Sequence, residues 1–204
     1  MAAQSDQKPT VFIVDDDPAI RFAMQALMDS VNLDHEIYAS GDEFLEKVIE
    51  QRPGCLVLDI RMPGLGGLEL QEELIKRGNT LPIIFITGHG DVPMAVEAMQ
   101  KGAVDFIQKP FRDQELLDRI REALTTDEER REEQQQHAEV NERLSRLTNR
   151  EREVFDLVVT GKPNKVIAYE LGVSQRTVEI HRARVMEKMQ ARSLADLVKM
   201  HMTA

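Results

Sequence analysis

Four short apolar runs in the first half of the chain each end on a reactive polar residue, and this spacing restricts the fold more than any other feature. Val11-Phe12-Ile13-Val14 leads into Asp15-Asp16-Asp17. Cys55-Leu56-Val57-Leu58 leads into Asp59, Ile83-Ile84-Phe85-Ile86 into Thr87, and Val104-Asp105-Phe106-Ile107-Gln108 into Lys109-Pro110. Apolar runs of this length, separated by helical patterns, read as buried strands of a parallel sheet. In such a sheet the ligand site lies outside the carboxyl ends of the strands. The predicted fold therefore gathers three acids, a hydroxyl and an ammonium in one crevice.

The chemistry of that set is complementary. Asp15, Asp16 and Asp59 bring three carboxylates together, which is unfavourable unless a cation sits among them. A hard, oxygen-seeking ion such as Mg²⁺ suits them, bound through carboxylates and waters. Asp59 is then placed to attack a phosphoryl group whose oxygens the cation neutralises. Lys109 adds a second positive charge, and the Thr87 hydroxyl a hydrogen bond to a phosphoryl oxygen. A cis Lys109-Pro110 peptide, which costs an X–Pro bond only about 0.5–1 kcal/mol, would aim the lysine into the crevice. Taken singly, each residue has a plainer reading. Asp15 and Asp17 suit helix caps before Pro18, Asp59 a turn before Met62-Pro63-Gly64, Thr87 a strand end, and Lys109 a solvated side chain. All of them falling at strand ends of one sheet favours the joint, phosphoacceptor reading.

At these residues the chain resembles a known family. VFIVDDD, LVLDIRMPGLGGLEL, IIFITGHGDVPMAVEAM and GAVDFIQKPF are similar to the receiver domain of two-component response regulators, over about residues 10–124. The last two segments are closest in wording to the FixJ-type subfamily. The resemblance implies that Asp59 is the phosphoacceptor, that Asp15 and Asp16 hold Mg²⁺ beside it, and that Thr87 and Lys109 bind the phosphoryl group. It places Phe106 at an aromatic switch position that acts with Thr87.

Composition bounds the rest. The chain has 204 residues, of which 42% are hydrophobic, enough for two modest cores. It contains no apolar run of the roughly 18 residues that a membrane span needs. The opening MAAQSDQKPT lacks the layout of a signal peptide. A single cysteine, Cys55, has no partner for an internal disulfide. These features point to a soluble protein of the cytoplasm with no membrane partner. The net charge of −10 is unevenly spread: residues 1–124 carry 12 basic and 22 acidic side chains, 125–144 carry 3 and 7, and 145–204 carry 11 and 7. Only the last segment has the sign needed to approach a polyanion.

The domain layout follows: residues 1–9 a flexible N-terminus, 10–124 the phosphoacceptor domain, 125–144 a helical linker, and 145–204 a small all-α domain. The fold class is α/β, a doubly wound five-stranded parallel sheet joined by a long helix to that domain. The linker continues a helix that starts near Arg112. It lacks the apolar a and d positions of a coiled coil, which makes it a solvated spacer. In the last segment Thr148 and Glu151 form a capping box. A short helix over 166–171 and a longer one capped by Ser174 flank the turn at Gly172-Val173, the helix-turn-helix arrangement. Val178, His181, Val185 and Met189 line the inner face of the longer helix, with His181 structural. Arg176, Thr177, Glu179, Ile180, Ala183 and Arg184 offer groups that read bases in a major groove. Lys165, Arg182 and Lys188 suit phosphate contacts.

LTNREREVFDLVVTGKPNKVIAYELGVSQRTVEIHRARVMEKM closely resembles the LuxR/NarL-type DNA-binding domain. The two resemblances together imply a phosphorylation-activated transcriptional regulator and not an enzyme. A sensor histidine kinase phosphorylates Asp59, and the receiver then dimerises through the surface of Val92, Val96, Met99 and Gln100. The paired domains bind promoter DNA and activate transcription with RNA polymerase. Two other classes fit less well. An aspartate-nucleophile phosphatase often carries a second acid two residues after the nucleophile, where this chain has Arg61. A regulator sensing an apolar ligand needs an aromatic pocket, and only 4% of the residues are aromatic.

Overall fold

The computed structural model describes residues 8–48, 52–88 and 92–203. The predicted flexible N-terminus lies outside these residues as far as position 7. The chain divides into two compact units that meet between Arg130 and Arg131.

The first unit alternates strands and helices: β1 (Thr10–Val14), α1 (Pro18–Ser30), β2 (His35–Tyr38), α2 (Gly41–Lys47), β3 (Gly54–Asp59), α3 (Gly67–Lys76), β4 (Ile83–Thr87), α4 (Val92–Gln100), β5 (Asp105–Gln108) and the start of α5 (Asp113–Ser145). All four pairings are parallel and the strand order is β2-β1-β3-β4-β5. Three of the runs picked out in the sequence form the centre of the sheet, and every residue of β1, β3 and β4 is buried. The alternation of side chains along a strand divides them between two cores. Phe12, Val14, Leu56, Leu58 and Phe85 face Phe44 of α2, Leu70 and Leu74 of α3 and Ala98 of α4. Val11, Ile13, Cys55, Val57, Ile84 and Ile86 face Met24 and Met28 of α1 and Leu116, Leu117 and Ile120 of α5. Asp17 caps α1, accepting from Ala19 N at 2.8 Å, with Pro18 at the first helical position.

Helix α5 is one continuous helix of 33 residues. Its middle is less solvated than its sequence suggests. Asp127 is buried and accepts a hydrogen bond from Gly54 N at 2.9 Å, which fastens the helix to the start of β3. Val140 and Leu144, one turn apart, are buried in the core of the second unit. The longest unbroken stretch of exposed residues in the span expected as a spacer, 125–144, runs from 132 to 139.

The second unit packs the end of α5 with α6 (Asn149–Val159), α7 (Asn164–Leu171), α8 (Gln175–Met189) and α9 (Leu194–Thr203). Val154, Phe155, Val158, Ile167, Val178, Val185, Met189 and Leu197 form its core. Gly172, with φ +66°, closes α7 in the left-handed conformation that glycine adopts without strain. Ser174 then caps α8 by accepting from Thr177 N at 3.1 Å. Thr148 and Glu151 make the expected capping box at α6.

Candidate phosphoacceptor crevice and helix-turn-helix surface

The carboxyl ends of β1, β3, β4 and β5 bring Asp15, Asp59, Thr87 and Lys109 to one edge of the sheet. Asp59 is the last residue of β3 and is buried. Its two oxygens have separate donors: Oδ1 accepts from Lys109 Nζ at 2.7 Å and Oδ2 from Arg61 N at 2.9 Å. The same ammonium reaches Asp15 Oδ2 at 3.0 Å, and Asp15 Oδ1 accepts from Asp17 N at 2.8 Å. Lys109 N donates to Thr87 O at 2.7 Å, which ties the strand ends together, and the Lys109-Pro110 peptide is cis. Gly67 lets the chain turn back tightly after the nucleophile, because a Cβ there would lie 2.4 Å from Asp59 O.

Burial pushes the Asp59 carboxyl above its ordinary value, against the opposing pull of Lys109. Burial pulls the Lys109 ammonium down, but its hydrogen bonds to Asp59 and Asp15 outweigh this and hold it above the usual lysine value. The two shifts have different origins: Asp59 is dominated by lost solvation, Lys109 by its two acidic partners.

Among the described residues no three acidic, histidine or cysteine side chains cluster as a metal-holding group. Asp16 is exposed, and Lys109 bridges Asp15 and Asp59 in place of a third carboxylate around a cation. The ammonium offsets part of the negative charge of the pair. The donors nevertheless remain oxygen-only, the chemistry that a hard divalent cation requires. Asp16 lies one residue from Asp15 and is free to turn inward.

Thr87 is buried at the end of β4, one residue beyond the Ile86 that pairs with Asp59. Phe106 on the edge strand β5 is 42% exposed and points away from the core. Val96 and Met99 of α4, together with Val104, are also exposed, so with Phe106 they form an apolar surface; Gln100 is exposed beside them. The side chain of Val92 lies outside the described residues. Two ties hold α4 against α3: Gln71 Nε2 donates to Ala98 O at 3.1 Å, and Lys101 Nζ reaches Glu72 Oε1 at 2.6 Å.

In the second unit Arg176, Glu179, Ile180, Ala183 and Arg184 are exposed on one strip of α8, and Lys165 is exposed at the start of α7. The remaining predicted contacts are already engaged. The Thr177 hydroxyl lies 2.8 Å from Ser174 Oγ in the cap, and Arg182 donates to Asn164 Oδ1 at 3.0 Å. Lys188 is held at 2.6 Å by the buried carboxylate of Glu151 and at 3.0 Å by Arg146 O. Its ammonium fastens α8 to α6. The Lys188 hydrogen bond, with that of Thr148 N, lowers the Glu151 carboxyl to about 2. His181 sits between core and surface, with Nδ1 buried and without a hydrogen-bond partner in the structure, in keeping with a packing role. Sequence reasoning did not find Tyr169, 88% exposed on α7. Its spacing of three from the exposed Val166 was the available signal.

Comparison with known proteins finds two families along the chain. Residues 11–121 match the response regulator receiver domain, and residues 145–201 match the bacterial regulatory proteins of the luxR family. The chain is 48% identical to Nodulation protein W of Bradyrhizobium diazoefficiens, over 98% of this chain and 88% of that protein. It is 45% identical to the transcriptional regulatory protein FixJ of Azorhizobium caulinodans, over 95% of this chain and 92% of that one. Among solved structures, the response regulator StyR matches with a TM-score of 0.87 at 44% identity, covering 97% of this chain and all of that one. Full-length FixJ from B. japonicum matches with a TM-score of 0.62 at 40% identity, covering 97% of each chain. The chain therefore belongs to the two-component response regulators that join a receiver domain to a LuxR-type DNA-binding domain, a family of transcriptional regulators and not of enzymes.

Proposed function

We propose that Asp59 takes a phosphoryl group from a sensor histidine kinase, and that the phosphorylated receiver pairs with a second copy through α4 and β5. The observation that carries this reading is the buried Asp59 carboxylate held 2.7 Å from a lysine that also grips Asp15. Receiver domains generally bind Mg²⁺ at the phosphorylation site, and here Asp15, Asp16 and Asp59 would hold it. The cation, when bound, neutralises charge on the phosphoryl oxygens.

The remaining steps belong to the chain's own residues. Lys109 and the Arg61 N–H keep the Asp59 carboxylate oriented. A new bond forms from an Asp59 oxygen to phosphorus as the bond from phosphorus to the kinase imidazole nitrogen breaks. Lys109 then moves its charge to the phosphoryl oxygens, and the Thr87 hydroxyl donates a hydrogen bond to one of them. The movement of Thr87 leaves room for Phe106, which turns in from the surface. The surface of Val92, Val96, Met99 and Gln100 is reshaped as α4 adjusts against its ties to α3.

Pairing of two receivers brings two LuxR-type domains to one DNA, so the second contact forms at high effective concentration. Arg176, Glu179, Ile180, Ala183 and Arg184 meet bases, Lys165 and Arg182 meet phosphates, and the Thr177 hydroxyl and Lys188 serve the fold of the domain. Recruitment of RNA polymerase and activation of promoters in the cytoplasm complete the reading. Among the described residues no helix is long and apolar enough to cross a membrane.

Sedimentation with Mg²⁺, before and after beryllofluoride or acetyl phosphate, tests the proposal. The expected result is a monomer-to-dimer shift that Asp59→Asn abolishes. A mutant that dimerises normally on phosphodonor treatment sinks it.

A further inference from the structure

The exposed strip of α8 carries charge of both signs. Arg176 and Arg184 suit a polyanion, whereas Glu179 does not. Among the described residues the Glu179 side chain takes part in no hydrogen bond or ion pair, although Arg176 stands three positions before it. That spacing lets opposite charges meet on a helix, and elsewhere in this unit Arg150 and Glu153 do meet, at 2.7 Å. The Glu179 carboxylate is thus presented outward, near the end of α8 that a helix-turn-helix domain inserts into the major groove. Glu187 is also an unpaired acid, but it lies in the last turn of α8, more than two turns further along.

A carboxylate carried between two rows of phosphates is repelled. Accepting a hydrogen bond from a base offsets that loss. Guanine O6 and N7 and thymine O4 are acceptors and repel it. Adenine offers its N6 amino group, but beside the N7 acceptor, which opposes the second carboxylate oxygen. Cytosine offers its N4 amino group with no acceptor next to it in the groove. The exposed side chain at Ala183, one turn on, is a single methyl that leaves room for close approach. We propose that Glu179 is a specificity-determining residue that reads one cytosine in each half-site by accepting from its N4 amino group. The proposal rests on the DNA-binding reading of the second unit and names the base that it selects.

Site selection from a randomised duplex pool tests this, using the full chain with beryllofluoride and Mg²⁺. Wild type is run beside Glu179→Gln and Glu179→Ala, two changes at an exposed position with no bond to lose. The expected wild-type profile has one position per half-site where cytosine is preferred on the order of ten-fold. In Glu179→Gln that position moves to adenine, since an amide both accepts from N6 and donates to N7. In Glu179→Ala that position alone becomes indifferent. An unchanged profile in both variants overturns the assignment, as does a general loss of selectivity at all positions or the absence of any such cytosine. If the wild type binds no duplex selectively, the DNA-binding reading itself falls, and the assignment with it.

Discussion

Lys109 and Lys188 show how little the identity of a residue says about its work. Both are lysines in ion pairs with buried carboxylates, at 2.7 Å from Asp59 and 2.6 Å from Glu151. Lys109 stands at an open strand end, where an incoming phosphoryl group can draw its charge away. Lys188 joins two helices, and its partner Glu151 is fixed as well by the cap of α6. The Glu151 carboxyl titrates at about 2 in the fold against an ordinary 4.5. Its folded value is depressed, so the stability it contributes is complete above about 4.5 and is lost as the pH falls towards about 2. Replacing the lysine by Lys188→Met removes a charged hydrogen bond, an effect of about 1.5–3 kcal/mol. It should also start acid unfolding of the second unit at a higher pH, read by circular dichroism across a pH series. Equal acid profiles for the two proteins would show that the pair contributes nothing. The sequence marked both lysines as functional. It gave no sign that Glu151, 37 positions away, would claim one of them. Cys55 shows the opposite case: a lone cysteine inside an apolar run reads as core, and burial pushes its thiol up to about 12, leaving it inert.

At the scale of elements, legibility followed hydrophobic pattern. Strands β1, β3 and β4 are buried on both faces and stand out as continuous apolar runs. Strand β2 is His35-Glu36-Ile37-Tyr38, an edge strand with only Tyr38 buried, and no apolar run marks it. The fifth strand was expected from the fold class but could not be placed. Helix α5 was read as a helix because it lacks Gly and Pro and is rich in helix formers. Its attachment through Asp127 was not readable, because a carboxylate in a run of charged residues looks solvated until the strand it meets is known. That contact yields a test. Asp127→Leu leaves the buried Gly54 N–H without an acceptor, costing about 1–3 kcal/mol. Amide exchange at Gly54 and in the middle of α5 should accelerate, while Asp127→Asn, which keeps one acceptor oxygen, should change it less. Unaltered exchange in the leucine variant would mean that α5 is held there by other contacts.

For the whole molecule, the proposed mechanism requires phosphorylation and pairing to be separable. Val96 is half exposed on α4 and belongs to neither core. Val96→Glu should therefore leave acetyl phosphate labelling of Asp59 intact while preventing the dimer. Sedimentation would read the dimer, and duplex titration should show affinity reduced to that of a single domain. Normal dimerisation of this variant would move the interface away from α4. What the sequence determined by itself was the order of the parts: buried strands, the polar residue ending each, capped helices, and a basic segment after an acidic one. These are local properties, set by periodicity, capping and charge within a few residues. Tertiary structure decided which of those residues meet. It placed Lys109 between Asp15 and Asp59, across 94 and 50 positions of chain, and it joined Lys188 to Glu151 across 37. Whether a charged group is free or committed depends on partners that folding brings from distant positions, and local pattern carries no record of them.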